Sequence, residues 1–430
     1  MGFVGTKLWT GVSGSFPDTL EDSMSAHRDL ADTVTSPVGA STPSREKARQ
    51  LTTLLLCGGL GTRMRPIASD DQPKSMVPFL NRPLIDYLLD LLARSAYHDV
   101  VLTSEHPSFV SHLEQRAPDS LRIRYAEPEG EWRGTANCVR QVERLLGDGL
   151  SDPYLVIYGD SLLRADLQAM TTFHLESRAA VTILHHRPDF AAFVYEPVAE
   201  LGCSEPRTNY GVMECDSLGT VRSFIEKPTL KELSYRFRDP VANAAVYILN
   251  RGILGNVGSA STLDFAEDVF PELIQKGMRV LTFPVGEDGY REDVGTLDRY
   301  LDLHMRALSG RLAVATDLGG EDASVSIASD ASVATDVRLS PPVMIGRACS
   351  VESGATLKCC CVGDAVRVSE NATVSFSVVH SKTFIGEGAR VERCLIGAES
   401  RVGRGVVVPG GTVVGAHSHF GHPRIAPREA

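Results

Sequence analysis

The chain has no apolar run approaching the roughly 18 to 20 residues of a membrane span, and its first residues hold no apolar signal-peptide core. It has no CxxC pair and no His–Cys spacing suited to zinc, although it carries nine cysteines, three of them consecutive at Cys359-Cys360-Cys361. Reduced thiols in a cytoplasmic protein are the expectation. Positive charge is short as well: a net −11 argues against a nucleic-acid or anionic-membrane partner. Any phosphate site must then be a local positive feature. Two phosphate-binding signatures are also missing. GxGxxG fails at Met64, and GxxxxGK[ST] fails because no Lys-Ser/Thr pair comes directly after a glycine of the first glycine-rich loop.

What is present starts with size. The 430 residues, 43% of them apolar, have room for two or three globular domains. Residues 1–50 are rich in Ser, Thr, Gly and Asp without apolar periodicity and read as a disordered extension. Ordered sequence begins with Leu54 to Phe79, LLLCGGLGTRMRPIASDDQPKSMVPF. Leu54-Leu55-Leu56 suits a short buried strand cut off by Gly58-Gly59. Gly58, Gly59 and Gly61 permit positive φ and close approach of backbone N–H groups to a ligand, and Arg63 and Lys74 add fixed charge. Such an arrangement at a strand end suits a polyphosphate.

From 51 to 307 short apolar runs alternate with amphipathic stretches, as in a layered α/β domain. Pro83–Leu92 has helical spacing, while Asp99–Thr103 and Leu155–Tyr158 read as strands of a mostly parallel sheet with ligands at its carboxyl ends. Tyr158-Gly159-Asp160 is one such end. Alone, an aspartate there more often caps the next helix than binds a metal. Later stretches with the same short-turn character are Asn209–Glu214 (NYGVME), Phe224–Pro228 (FIEKP), Asn243–Leu249 (NAAVYIL) and Gly289–Thr296 (GYREDVGT). Asp264–Ile274 reads as a capped amphipathic helix.

Together GGxGTRxxP and PKSMVPF resemble the opening of the sugar-1-phosphate nucleotidyltransferases, the nucleoside-diphosphate-sugar pyrophosphorylases. WRGTA, within Glu127–Val139, is similar to the glucose-1-phosphate adenylyltransferases, and PKSMVPF followed by NRPLI to the mannose-1-phosphate guanylyltransferases. The resemblance implies a Rossmann-like three-layer domain that transfers a nucleotidyl group from an NTP to a sugar 1-phosphate, with Mg²⁺. It also implies roles. Arg63, Lys74, Asp160 and Lys227 would be catalytic, with Asp160 and Asp293 as Mg²⁺ ligands. Gly58, Gly59, Gly61, Thr62, Glu127, Gly134 and Thr135 would hold the nucleotide, and Gly211, Glu226, Lys227, Asn243 and Tyr247 the sugar phosphate. Glu127 and Glu131 are candidates for reading base edges. A carboxylate accepts two hydrogen bonds from guanine or one from the adenine amino group, which favours a purine; solvated loop charge is the competing reading. Two positions depart from the family pattern. Ala245 stands where glycine is common, reshaping the sugar pocket, and Arg291 stands where Trp is often found. Both leave room for an unusual sugar or a cyclitol phosphate.

Beyond a linker at 308–323 the period changes. Aliphatic residues recur from Ile327 to Val414 in steps of six, with steps of five at Leu357–Val362, Val374–Val379 and Val391–Ile396. This hexapeptide repeat resembles a left-handed parallel β-helix of about five coils over 324–416, followed by a tail at 417–430. In the resembled family such a module serves assembly or regulation, so a homo-oligomer is expected. Two rival readings remain: a non-catalytic scaffold homologue, and a bifunctional enzyme whose β-helix is an acyltransferase using His380, expected to face outward.

Overall fold

The computed structural model describes residues 51–59, 61, 64–67, 72–104, 106–126, 134–188, 194–195, 206–258, 262–314 and 325–421. The proposed N-terminal extension and most of the linker lie outside them. The central sheet is built from β1 (Thr52–Leu56), β2 (Asp99–Leu102), β3 (Arg122–Tyr125), β4 (Tyr154–Tyr158), β6 (Val181–His186), β7 (Gly211–Cys215), β8 (Val221–Glu226), β9 (Val241–Leu249) and β10 (Val280–Pro284). Between β4 and β6 lies β5 (Ser161–Arg164), which pairs instead with β11 (Tyr290–Asp293). Strand order in the sheet is β8-β7-β9-β4-β1-β2-β3, with β6 on β9 and β10 on β6. The β4-β1-β2-β3 half is parallel, as is β6–β10. The expected parallel sheet is thus real but partial, because β9 runs antiparallel to β4, β6 and β7, and β7 antiparallel to β8.

Period-two alternation sorts these strands into a three-layer core. Leu54, Val101, Val156 and Tyr247 point to one face, where they meet α3 (Thr135–Leu146) and α6 (Phe270–Gln275); the short α5 (Leu230–Arg236) lies between β8 and β9 in the chain. Leu55, Val100, Ile157 and Ile248 point to the other, against α1 (Leu84–Arg94), α2 (Pro107–Arg116) and α4 (Leu167–Ser177). Strands covered on both sides explain why their sequences are unbroken apolar runs. Two boundaries differ from expectation. Pro83 is extended and pairs with Pro78 in a short hairpin, so α1 starts one residue later. The expected helix from Asp264 opens as a wide π-turn over Phe265–Val269, capped by Asp264, and tightens to α-helix at Phe270, beside Pro271, which has no N–H to donate.

The C-terminal repeat forms a three-faced coil of parallel strands. Val351, Val368, Ile385 and Val402 stack in one column, each paired with its counterpart one coil on. The aliphatic residues from Ile345 to Val414 form its interior, whereas Ile327, in the first coil, is 42% exposed. Each step of five falls at a corner where Cys359, Phe376 or Arg393 adopts positive φ, turning the chain with one residue fewer. Pairing continues to His419–Phe420 on Arg401–Val402, so residues 417–420 belong to the coil and not to a tail. Helix α7 (Leu297–Leu308) joins the two parts, packing Tyr300 and Leu303 into a shared cluster with Cys361, Val378 and Leu395. The same cluster takes Met64 and Ile67 beside the glycine-rich loop, and the Ala416 N–H donates to the Pro66 carbonyl at 2.7 Å.

Candidate active site

A cavity of about 1620 Å³ opens at the carboxyl ends of β1, β4 and β6. Its floor is an ion triplet assembled from three distant segments. Lys74 follows the glycine-rich loop, Asp160 sits in the turn after β4, and Asp293 ends β11. Antiparallel pairing of β11 with β5 places Asp293 opposite Ser161, beside Asp160. Lys74 Nζ lies 2.6 Å from Asp160 Oδ2 and 3.2 Å from Asp293 Oδ1. Burial disfavours the Lys74 ammonium, but the two carboxylates outweigh it and hold its pKa above the usual value. Asp160 is therefore no helix cap. In the loop Gly61 alone of the three glycines has positive φ, +57°, and the Gly59 carbonyl accepts the Lys74 N–H at 3.1 Å. Gly59 and Gly61 line the cavity; Gly58 does not.

The opposite wall is the β7–β8 hairpin. Its register sets Gly211 across from Glu226. A Cβ on Gly211 would lie 2.6 Å from Glu226 Oε2 and 2.7 Å from the Phe224 ring, so only glycine lets that carboxylate fold over the strand. Glu226 Oε1 accepts from Lys227 Nζ at 3.0 Å, and burial lifts the Glu226 pKa against the opposing pull of Lys227. Behind them Asn243 Nδ2 donates to the Tyr247 hydroxyl at 2.9 Å, and Asn243 Oδ1 accepts the Ala245 N–H at 2.9 Å. Tyr247 is 1% exposed and packs against Phe265 and Phe270, so most of its ring is core. Ala245 sits in a bulge of β9 at φ +54°, a conformation that explains a preference for glycine before any contact with sugar is considered.

Other expected residues sit elsewhere. Gly134, at φ +82°, starts α3 with its Cβ direction blocked by the Leu263 carbonyl at 2.2 Å. Protein packing alone requires glycine there. Thr135 donates to Asp264 Oδ2 at 2.8 Å and does not line the cavity. Thr62, Arg63, Glu127 and Glu131 lie outside the described residues. The structure adds groups that motif reading passed over: His185 and His186 ending β6, Tyr210, and the acid–base set of Glu292, Arg299 and Arg306. Glu292 is buried and paired to both arginines. Burial pushes the His185 and His186 pKa values down to about 4 and about 3, with nearby arginines adding to the effect, so both rings are neutral at pH 7. The strand-end rule that singled out Asp160 would also have singled out these histidines.

A glycine-rich loop, a lysine between two aspartates and a Glu-Lys pair thus line one cavity. The chain belongs to the nucleotidyl transferase family, which residues 52–310 match, and residues 322–422 match the GMPPB C-terminal domain. Among similar proteins, mannose-1-phosphate guanylyltransferase 1 of Arabidopsis thaliana is 27% identical over 73% of this chain and 82% of its own length. The UTP–glucose-1-phosphate uridylyltransferase of Synechocystis sp. is 24% identical over 71% and 76%. Glucose-1-phosphate adenylyltransferase 2 of Vibrio vulnificus is 26% identical over 60% and 67%. The protein is thus an enzyme of the sugar-1-phosphate nucleotidyltransferase class. Among the described residues no helix is long and apolar enough to cross a membrane.

Proposed function

We propose that the enzyme joins a purine nucleoside triphosphate, GTP or ATP, to a sugar 1-phosphate of the glucose or mannose type, or a cyclitol 1-phosphate, releasing pyrophosphate. The observation that carries this reading is the convergence of Lys74, Asp160 and Asp293 in one cavity with Glu226 and Lys227. An oxygen of the sugar phosphate attacks the α-phosphorus in line; the new P–O bond forms as the bond to the β-phosphate oxygen breaks. Little covalent work falls to the protein, so position and charge dominate. Lys74 holds the α-phosphate, Arg63 the leaving β- and γ-phosphates, and Lys227 the attacking phosphate. Glu226 accepts sugar hydroxyls, and Gly211 brings backbone close to the ring.

Asp160 and Asp293 would hold Mg²⁺. Two hard carboxylates already directed at one cation, with phosphate and water oxygens to complete the shell, are a donor set that suits it. Bound there, the ion neutralises charge building on the phosphates. The purine preference rests on Glu127 and Glu131 as base readers. The β-helix is assigned to assembly, so the enzyme is expected to sediment as an oligomer. Pyrophosphate release from the four common NTPs against glucose and mannose 1-phosphates tests the reading. Equal rates with every base would refute the purine assignment, and no release from any pair would favour a scaffold role.

The acyltransferase alternative loses its base. His380 is 5% exposed and faces α7, not solvent. Acetyl-CoA consumption by the purified enzyme would revive it.

A further inference from the structure

One wall of the cavity holds nitrogens that transfer to a neutral hexose phosphate leaves unused. Arg291 lies on β11 two residues before Asp293, and alternate residues of a strand share a face. Its side chain therefore enters the cavity on the same side as that carboxylate, about 7 Å along the strand. Its Nε is buried and meets no acceptor. His185 Nδ1 and His186 Nε2, in the same cavity, are buried without partners as well. The His186 ring stands edge-on to Tyr210 at 5.0 Å, and the Tyr210 carbonyl accepts the Lys227 N–H at 3.1 Å. These groups thus adjoin the hairpin assigned to the acceptor. Buried polar atoms are nearly always paired in folded proteins, so three orphans in one cavity mark a place where a ligand completes the pairing.

The neighbouring arginines are not equivalent. Arg299 and Arg306 both pair with Glu292, and each lies 3.7 Å from Asp302. Arg291 makes no ion pair with a described carboxylate, and its charge is left for a ligand. A guanidinium presents a planar fork matched to carboxylate or phosphate oxygens, a match that hydroxyl groups do not reproduce.

We infer that the acceptor is a sugar-like 1-phosphate bearing a second anionic group, carboxylate or phosphate, on the ring edge away from the 1-phosphate, and that Arg291 receives that group. The inference rests on the nucleotidyl-transfer reading above. His186 and His185 supply neutral hydrogen-bonding partners around the same group, and Lys227 keeps the 1-phosphate.

The test compares kcat/KM for pyrophosphate release with glucuronic acid 1-phosphate and glucose 1,6-bisphosphate against glucose 1-phosphate and mannose 1-phosphate, each with every common NTP. At least one acceptor with an anionic ring edge is expected to exceed its neutral-edged counterpart about tenfold or more; which one wins separates carboxylate from phosphate. Arg291→Gln should collapse that ratio towards one, and Arg291→Lys, which keeps the charge, should retain part of it. Neutral acceptors that match or outperform both charged ones, or a ratio unchanged in Arg291→Gln, would overturn the inference while leaving nucleotidyl transfer intact. Absence of pyrophosphate from every pair would remove the transfer reading and this inference with it.

Discussion

The imidazole of His380 lies nearly parallel to the Tyr300 ring, 5.8 Å between centroids and 11° from coplanar, with Nε2 3.2 Å from the tyrosine hydroxyl. That hydroxyl donates to the Pro78 carbonyl, so the histidine N–H donates to it in turn. Pro78 belongs to the segment after Lys74, Tyr300 to α7 and His380 to the coil. One small contact thus ties the β-helix to the segment that carries Lys74. Replacing His380 with alanine should lower the unfolding midpoint by an amount equivalent to about 1–3 kcal/mol, because the buried hydroxyl oxygen loses its donor and a void is left. A midpoint unchanged from the parent, by calorimetry, would mean the contact is idle.

The same boundary should be acid-sensitive. Burial pushes His380 down to about 4 and His304 to about 3. His304 Nε2 accepts the Leu80 N–H at 3.2 Å while Nδ1 donates to the Tyr300 carbonyl at 2.8 Å, so a second proton would set donor against donor. Both folded-state values lie below the unfolded value near 6.5. Their stabilisation is therefore complete above about pH 6.5 and drains away as pH falls towards 4, on the order of 3 kcal/mol each. In His304→Gln the fall in unfolding midpoint between pH 7 and pH 4.5 should be shallower than in the parent. Parallel pH curves for the two proteins would contradict the assignment.

Asp160→Ala should cut pyrophosphate release by about 100-fold or more, since losing a ligand of the cation that offsets charge on the transferring phosphate removes a stabilisation of that order. The loss should fall on kcat with circular dichroism unchanged, because Asp160 is partly exposed at the cavity floor and carries no core packing. Removing divalent cations with EDTA should abolish release from the parent, with restoration by Mg²⁺. Parent-level turnover in the variant would remove Asp160 from the site, and parent-level turnover in EDTA would remove the metal.

Much of this was legible in the sequence, for a physical reason. Strands buried on both faces write themselves as apolar runs, and a coil with one inward aliphatic per short strand writes itself as a period of six, so Leu54–Leu56 and Val351 to Val402 were readable without a structure. Asp160 was legible as a strand-end residue, but its proposed role, like that of Asp293, came only through resemblance. Their meeting depends on the β5–β11 register, a pairing across more than a hundred residues that no local pattern records. Gly134 was read for the nucleotide, yet the Leu263 backbone accounts for it. His380 was expected to face solvent, because the repeat fixes which residues point into the coil but not which outer face meets α7.

Ala245 offers a test of backbone strain separate from chemistry. An L-residue at φ +54° is disfavoured by roughly 1–2 kcal/mol, partly offset here by the hydrogen bond to Asn243 Oδ1. Ala245→Gly relieves that strain while adding unfolded-chain entropy, so stability should stay within about 1 kcal/mol of the parent. Ala245→Val, β-branched at the same φ and only 6% exposed, should lose more than about 2 kcal/mol. Denaturant midpoints for the two variants decide. Equal losses would show that the bulge relaxes freely.

Gly134→Ala should be the more damaging change, although it adds a single methyl. The added carbon would stand 2.2 Å from the Leu263 carbonyl oxygen, and that carbonyl already accepts the N–H groups of Ala136 and Asn137 at 3.0 and 3.1 Å. It cannot retreat without orphaning the first turn of α3, whose N–H groups have no partners within their own helix. Positive φ at residue 134 adds to the cost. The expected outcome is a loss of about 3 kcal/mol or more, or failure to recover folded protein, with the damage centred on α3 and the Leu263 segment in hydrogen exchange. A folded Gly134→Ala protein of parent stability, with only its KM for nucleotide raised, would instead return Gly134 to the role the sequence suggested, as a surface against the base.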